Sequence, residues 1–277
     1  MLAPAHSSHV EVNGVSLRLL EWQPDRHDSR PAIVLVHGLA SNALLWQGVA
    51  VELSSRGHHV VAVDQRGHGR SEKPDGGYDM VTVTADLAAL LDVLSNRGLE
   101  RPVVAGQSWG GNVVIELAHR HPDKTRGVVA VDGGFLELST HFPEWNDCER
   151  ALTPPNLLGT PATRMRDYMR AAHPDWPESG IDGQMGNFEV LEDGTIRPWL
   201  SLDRHLQILR GLWEHRPSEL FPAITAPVLF TPADSNNGVF AATKRQSVTR
   251  ALEVLLRSRV ERSEEHTSEL QSRGLIS

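Results

Sequence analysis

A serine between glycines is the residue of this sequence best placed for covalent chemistry. Ser108 stands in the middle of Gly106-Gln107-Ser108-Trp109-Gly110, a G-x-S-x-G pattern. An apolar run of strand length, Val103 to Ala105, precedes the pattern, and a helical pattern follows it. In such a strand–turn–helix context the serine hydroxyl projects above a sheet, where a general base can activate it. The pattern therefore predicts acyl transfer to Ser108.

The two flanking glycines have a geometric explanation. A strand that reverses directly into a helix brings two backbones together, so side chains at positions 106 and 110 would clash. We expect Ser108 to hold a strained backbone conformation at the apex of this turn. The backbone N–H of Trp109 then lies at a helix N-terminus, where it can stabilise an oxyanion.

The rest of the chain alternates between strands and helices. Short apolar runs are predicted to be buried strands, and amphipathic segments between them to be helices. The alternation predicts an α/β fold with a mostly parallel, doubly wound sheet, whose functional residues lie beyond the carboxyl ends of the strands. A hairpin around Asn13-Gly14 is predicted to add an antiparallel edge. The predicted buried strands are 32–36, 60–63, 103–105, 127–131 and 227–231.

The alternation stops between residues 135 and 222. Prolines cluster in this segment, and it contains no run typical of a buried parallel strand. We interpret residues 135–222 as a mostly helical lid inserted into an α/β core made of residues 1–134 and 223–261. A pocket is expected between this lid and Ser108.

Composition narrows the function classes. The formal net charge of −8 argues against nucleic acid or an anionic membrane as a partner, although net charge alone does not choose the substrate. The expected partner is a small-molecule acyl substrate. No apolar run approaches the roughly 20 residues of a membrane span, and no signal peptide is recognisable. The single cysteine, Cys148, fits a reducing compartment, so a cytoplasmic location is expected. No residue spacing suggests a metal site or a cofactor, and the sequence does not indicate an oligomeric state.

Several motifs together resemble those of the α/β-hydrolase fold superfamily, in its serine esterase-like branch with a helical lid. The resemblance spans residues 10–260 and depends on the set His37-Gly38, 66–71 (RGHGRS), 106–110 (GQSWG) and 227–229 (PVL). It implies a nucleophile, an acid and a histidine in that chain order. It also implies an oxyanion hole formed by the N–H groups of Leu39 and Trp109, with His37 and Gly38 as structural residues that shape the loop.

The resemblance leaves the acid open between two aspartates. The usual position follows the strand at 227–231, where Asp234 is the only carboxylate but stands two residues from the usual site. Some members place the acid after the preceding strand, where Asp132 stands. We prefer Asp234, because loop lengths in this region are tolerant, and keep Asp132 as the alternative.

The type of residue at the apex of the turn, here Ser108, distinguishes between activities found in this superfamily. Epoxide hydrolases and haloalkane dehalogenases carry an aspartate there, so Ser108 argues against both. A serine hydrolase acting on a carboxylic ester or related acyl substrate is the preferred interpretation. The alternatives are a proline iminopeptidase-like or C–C hydrolase activity, and a non-catalytic binding protein or pseudoenzyme with this fold.

The C-terminal residues do not continue the fold. Residues 259–261 look like the start of one more strand. Residues 262–277 have no alternating apolar pattern, so we expect a non-native or disordered tail, with the rest of the last strand and the last helix missing. The stretch RSEEHTSELQSR resembles a translated sequencing-adapter read-through. His266 is the only candidate base there, and it would serve only if the tail is genuine. The chain as written is therefore expected to be catalytically incomplete.

Overall fold

A computed structural model describes residues 5–25, 30–233 and 239–262. An eight-stranded sheet runs through these ranges in the order β1-β2-β4-β3-β5-β6-β10-β11. The first two strands are antiparallel to their neighbours, and the other six pair in parallel. The strand bounds are β1 His6–Val12, β2 Val15–Trp22, β3 Ile33–Val36, β4 Val60–Val63, β5 Val103–Gln107, β6 Gly127–Val131, β10 Val228–Thr231 and β11 Ser258–Val260. The predicted α/β fold is confirmed.

Helices cover both faces of the sheet, which explains why its central strands are apolar throughout. Alternate strand residues such as Val34 and Val61 pack with helices α2 and α3 on one face. Their neighbours, such as Leu35 and Ala62, pack with Trp46 and helix α1 on the other face. The helices that pack on the sheet are α1 Gln47–Ser55, α2 Met80–Ser95, α3 Trp109–Arg120 and α10 Val239–Val254.

The segment between β6 and β10, called the cap segment here (residues 135–222), contains no strand of the main sheet in the part of the chain that the structure describes. Its helices are α4 Leu138–His141, α5 Trp145–Leu152, α6 Ala162–Ala172, α7 Glu178–Met185, α8 Leu202–Glu214 and α9 Pro217–Leu220. It also forms a small antiparallel sheet from β7 Thr160–Pro161, β8 Phe188–Val190 and β9 Thr195–Pro198, which the sequence analysis did not anticipate. These strands have two to four residues, which is too short for a recognisable alternation.

The sheet ends in a strand of which the sequence analysis expected only the start. Residues Ser258–Val260 form β11, parallel to β10, so the expectation is corrected for the strand. The strand has three residues and lies at the edge of the sheet, and two of them are half-buried and one is exposed. This explains why its pattern was too weak to identify as a complete strand. The predicted tail from residue 263 onward, and the helix expected there, lie outside the described residues.

Buried ion pairs hold the loop that follows β4. The guanidinium of Arg66 binds the Asp86 carboxylate through two hydrogen bonds, Nε–Oδ2 at 2.5 Å and Nη2–Oδ1 at 2.9 Å. Asp64 accepts hydrogen bonds from the backbone N–H of Ala43 at 2.7 Å and of Arg70 at 2.9 Å. These contacts fix the loop that supports the functional site.

Replacing Asp86 with alanine should destabilise the fold strongly, because it leaves the buried Arg66 guanidinium without its partner. We expect the free energy of unfolding, measured by urea denaturation, to fall by about 3–5 kcal/mol. Asp92→Ala is the matched control on the same helix. The Asp92 side chain is 60% exposed and pairs with Lys124, so its loss should cost less than about 1 kcal/mol. Equal losses in the two variants would contradict this account of the loop.

Candidate functional site

Ser108 lies at the sharp turn between β5 and α3. Its backbone has φ 53° and ψ −120°, a conformation that L-residues rarely adopt. Three hydrogen bonds hold it. Ser108 N donates to the Val131 carbonyl at 2.9 Å, and the Ser108 carbonyl accepts from Gly111 N at 2.9 Å and Asn112 N at 3.4 Å. The turn is therefore anchored both to the neighbouring strand β6 and to the first turn of the helix.

Close backbone contacts explain the glycines around this turn. A Cβ on Gly106 would lie 2.0 Å from the Gly110 carbonyl oxygen, which is the clash within the turn that the sequence predicts. A Cβ on Gly110 would instead lie 2.5 Å from the carbonyl oxygen of His37, at the end of the adjacent strand β3. Gly133, which the sequence analysis did not single out, approaches the Ser108 carbonyl so closely that a Cβ would stand 2.1 Å from it.

Two backbone N–H groups beside Ser108 are available to a ligand. Leu39 and Trp109 line the same cavity as Ser108. Within the described residues, neither the Leu39 N–H nor the Trp109 N–H donates a hydrogen bond to the protein. Ala40, in the same loop as Leu39, has φ 56°, and its N–H donates to Nε2 of His68 at 3.2 Å. This arrangement suits the stabilisation of an oxyanion.

His37 uses both ring nitrogens to hold this loop. Its Nδ1 lies 2.7 Å from the Gly38 carbonyl, and its Nε2 accepts a hydrogen bond from the N–H of Gln65 at 3.0 Å. Complete burial lowers the pKa of His37 and lowers that of His68 further, so both rings are neutral near pH 7. His37 thus has no free nitrogen for Ser108, and His68 stacks on Trp109 at 5.5 Å.

Asp132 follows β6 and is 2% exposed. Its Oδ1 accepts a hydrogen bond from Ala233 N at 3.1 Å and lies 2.6 Å from Nζ of Lys244. Its Oδ2 is buried and has no hydrogen-bond partner within the described ranges. Lys244 was not predicted as a site residue, because a lone lysine in an amphipathic helix is ordinarily a surface residue. The other two predicted residues, Asp234 and His266, lie outside the described residues.

A cavity of about 860 Å³ opens above Ser108. The core contributes Ser108, Trp109, Leu39 and Lys244 to its wall, and the cap segment contributes most of the remaining lining. The volume lies in the range of small-molecule sites. No group of three or more His, Cys, Asp or Glu side chains is placed to hold a metal ion in the part of the chain that the structure describes.

A buried polar network joins the cap segment to α3, the helix that follows Ser108. Asn112 on α3 accepts hydrogen bonds from the N–H groups of Gly134 at 2.9 Å and Leu136 at 3.4 Å. The Asn112 amide also contacts Nδ1 of His215, at the end of α8, at 3.0 Å. Nε2 of His215 lies 2.9 Å from Oε2 of Glu116, again on α3. This network fixes the loop from Gly134 to Leu136, which lines the cavity.

Comparisons with known proteins define the family. The profile of the family described as alpha/beta hydrolase fold matches residues 31–164. The 2-(acetamidomethylene)succinate hydrolase of Mesorhizobium japonicum is 30% identical over 240 residues, which cover 85% of this chain and 80% of that protein. The chain therefore belongs to the α/β-hydrolase fold family, as its motifs predicted.

Other relatives agree on the fold and differ in activity. A crystal structure of E-2-(acetamidomethylene)succinate hydrolase has a TM-score of 0.74 and 24% identity, and the match covers 94% of this chain and 91% of that one. Epoxide hydrolase A of Mycobacterium tuberculosis is 38% identical over 125 residues, which are 44% of this chain and 37% of that protein. The family supports a hydrolase in general. None of the helices in the described ranges is long and apolar enough to span a membrane.

The buried histidine on the cap side of the cavity predicts a pH dependence of stability. His205 on α8 is 7% exposed, and burial lowers its pKa to about 4. In the unfolded chain its pKa is near 6.5, so the unfolded state binds the proton first as the pH falls. Stability from this group is present above pH 6.5 and is lost between about pH 6.5 and 4, by at most about 3 kcal/mol.

His205→Gln should therefore reduce the decrease in unfolding free energy between pH 7 and 4. Urea denaturation at a series of pH values measures this change. A shallower residual dependence should remain, because His37 and His68 also have lowered pKa values. The same slope in the variant and the parent would contradict the assignment to His205.

Proposed function

We propose that this protein is a serine hydrolase that cleaves a carboxylic ester or a related acyl substrate through an acyl-enzyme intermediate. The observation that carries the proposal is the position of Ser108. Ser108 has a strained backbone conformation and lines the cavity. The N–H groups of Leu39 and Trp109, which line the same cavity, donate to no protein acceptor in the described residues. Strain of this kind is concentrated at functional sites.

The proposed reaction has two steps. The Oγ of Ser108 attacks the substrate carbonyl carbon while a base takes its proton, and the N–H groups of Leu39 and Trp109 stabilise the oxyanion. The carbonyl re-forms and the alcohol leaves with the proton, so the acyl group is bonded to Ser108 Oγ. A water molecule then attacks the acyl-enzyme by the same route and releases the carboxylic acid.

Asp132 is supported as the acid of this site by its surroundings. It is buried at the end of the strand next to β5, and its Oδ2 is available to a histidine N–H because no described residue occupies it. A carboxylate in that role orients the base and stabilises its protonated form. Asp234, preferred from the sequence, remains the competing prediction.

Neither of the two buried histidines beside the Ser108 turn, His37 and His68, has a ring nitrogen free to act as the general base. Both nitrogens of His37 are engaged, and His68 likewise bonds Ala40 N and the Arg66 carbonyl. His266 is the candidate that the sequence offers. Our prediction from the composition of residues 262–277 is that His266 does not serve as the base, so turnover by this chain should be slow.

Two other functions compete with this proposal. Epoxide opening, the activity named for one relative, is disfavoured because the apex residue is a serine and not the aspartate found in the epoxide hydrolases of this superfamily. A non-catalytic binding protein would use the cavity without Ser108. The strained backbone at Ser108 and the free N–H groups favour the enzyme, since simple binding requires neither.

The nucleophile is tested by hydrolysis of p-nitrophenyl esters, with and without added imidazole as an external base. We expect slow turnover by the parent chain, a marked increase with imidazole, and loss of both in Ser108→Ala. Removal of a triad serine typically costs several powers of ten in rate. Labelling by a fluorophosphonate probe under the same conditions gives an independent readout of an activated serine.

The His266→Ala variant tests whether residues 262–277 supply the general base. Fast turnover that this variant loses would show that the tail supplies the base, and would overturn our expectation of incompleteness. Absence of Ser108-dependent hydrolysis and labelling, with or without imidazole, would contradict the proposed enzyme and favour the binding protein.

The choice of acid is tested by a matched pair of variants. Asp132→Asn is combined with Lys244→Met, because the single change would leave the buried lysine without its partner. We expect this double variant to lose at least about tenfold of the imidazole-dependent rate, because an amide oxygen orients an imidazolium far less well. Asp234→Asn is the matched control, and we expect it to lose less of the rate. A larger loss in Asp234→Asn would assign the acid to Asp234 instead.

A further inference from the structure

The wall of the cavity is apolar over most of its extent. The cap segment contributes large apolar side chains such as Leu138, Phe142, Leu152, Met169 and Leu209. Each apolar group of a ligand that leaves water against such a wall contributes favourably to binding. The two backbone N–H groups proposed to bind a reacting carbonyl, those of Leu39 and Trp109, lie beside Ser108.

The basic side chains on the wall already face carboxylates of this chain. Lys244 Nζ lies 2.6 Å from Asp132 Oδ1, and Arg197 Nε lies 2.9 Å from Glu189 Oε2. His205 is neutral near pH 7 because burial lowers its pKa to about 4. His141 lies exposed in the lining. A carboxylate on the substrate would have to displace Asp132 from Lys244, which would break a buried ion pair. The part of the wall next to Lys244 therefore disfavours an anionic ligand.

Exposed leucines extend the apolar surface to the solvent. Leu158 is 59% exposed and Leu202 is 49% exposed, and both line the cavity. Together they form what we call the apolar rim. Large leucine side chains at a cavity lined by further leucines suit a ligand whose apolar part extends outward from the floor.

We infer that the acyl group this site accepts is a neutral, medium- to long-chain apolar one, and that short acyl groups and acyl groups carrying a second carboxylate are poor ligands. The inference rests on the proposed function for the reaction at Ser108. The preference itself comes from the wall, the paired cations and the rim. It differs from the succinate derivative named for the Mesorhizobium relative, and that difference makes it directly testable.

The kinetic test compares p-nitrophenyl acetate, butyrate, octanoate and laurate, with p-nitrophenyl hemisuccinate as the anionic member. Imidazole is present throughout, and Ser108→Ala rates are subtracted. We expect kcat/KM to rise by about two- to fourfold for each methylene that the wall buries, and hemisuccinate to react more slowly than butyrate. A rate that is flat or falls with chain length, or a preference for hemisuccinate, would overturn the inference.

A binding test keeps the inference separate from the chemistry. N-Phenyl-1-naphthylamine, a neutral apolar fluorophore, is added to the Ser108→Ala chain and displaced with methyl laurate or with monomethyl succinate. We expect displacement by methyl laurate only. If esters are not hydrolysed but this displacement is seen, the proposed function fails and the ligand class stands. If esters are hydrolysed but the fluorophore does not bind, the ligand class fails and the function stands.

Because both leucines of the apolar rim are exposed, we expect variants at these two positions to fold normally. Leu158→Glu combined with Leu202→Glu should weaken fluorophore binding and lower kcat/KM for laurate by at least about fivefold, a larger factor than for acetate. Val81→Glu is the matched control, because Val81 is also 49% exposed but lies on α2 and does not line the cavity. Equal effects in control and rim variants, or equal losses for acetate and laurate, would contradict a ligand seated at the rim.

Discussion

The approach of three backbone segments around Ser108 is the constraint on which the site depends. Gly106 meets the carbonyl of Gly110, Gly110 meets the end of β3, and Gly133 meets the carbonyl of Ser108 itself. A side chain at any of these positions would push the strands apart. The position of Ser108 is therefore set by hydrogen-bonded backbone, and this gives it the rigidity that the proposed nucleophile needs.

The cap segment is joined to this frame by polar contacts as well as by apolar packing. Asn112 and Glu116 lie one turn apart on the helix that begins directly after Ser108, and both contact His215 at the end of α8. A buried network of this kind is specific only when its members are satisfied, because each unpaired group would carry a desolvation cost. Helix α3, which begins directly after Ser108, therefore also positions one end of the cap segment.

The sequence predicted the parallel sheet and the turn at Ser108 because both depend on local patterns, namely continuous apolar strands and glycines at a fixed spacing. It did not identify Gly133 or Lys244, whose importance comes from residues far away in the chain. The small antiparallel sheet of the cap segment was missed because strands of two to four residues leave no periodicity. Strand β11 was expected to be incomplete for a similar reason, since an edge strand of three residues needs little apolar character.

The cap segment, which is inserted between β6 and β10, and the turn at Ser108 tolerate substitutions to different extents. At Gly106, Gly110 and Gly133 an added Cβ would clash with backbone atoms, so almost no substitution at these positions is neutral. In the cap segment most cavity-lining residues contribute only apolar surface, and one apolar side chain can replace another of similar volume at little cost. The ligand preference can therefore change as related sequences diverge, while the residues around Ser108 stay the same. In directed evolution of this protein, we expect most tolerated substitutions to fall in the cap segment.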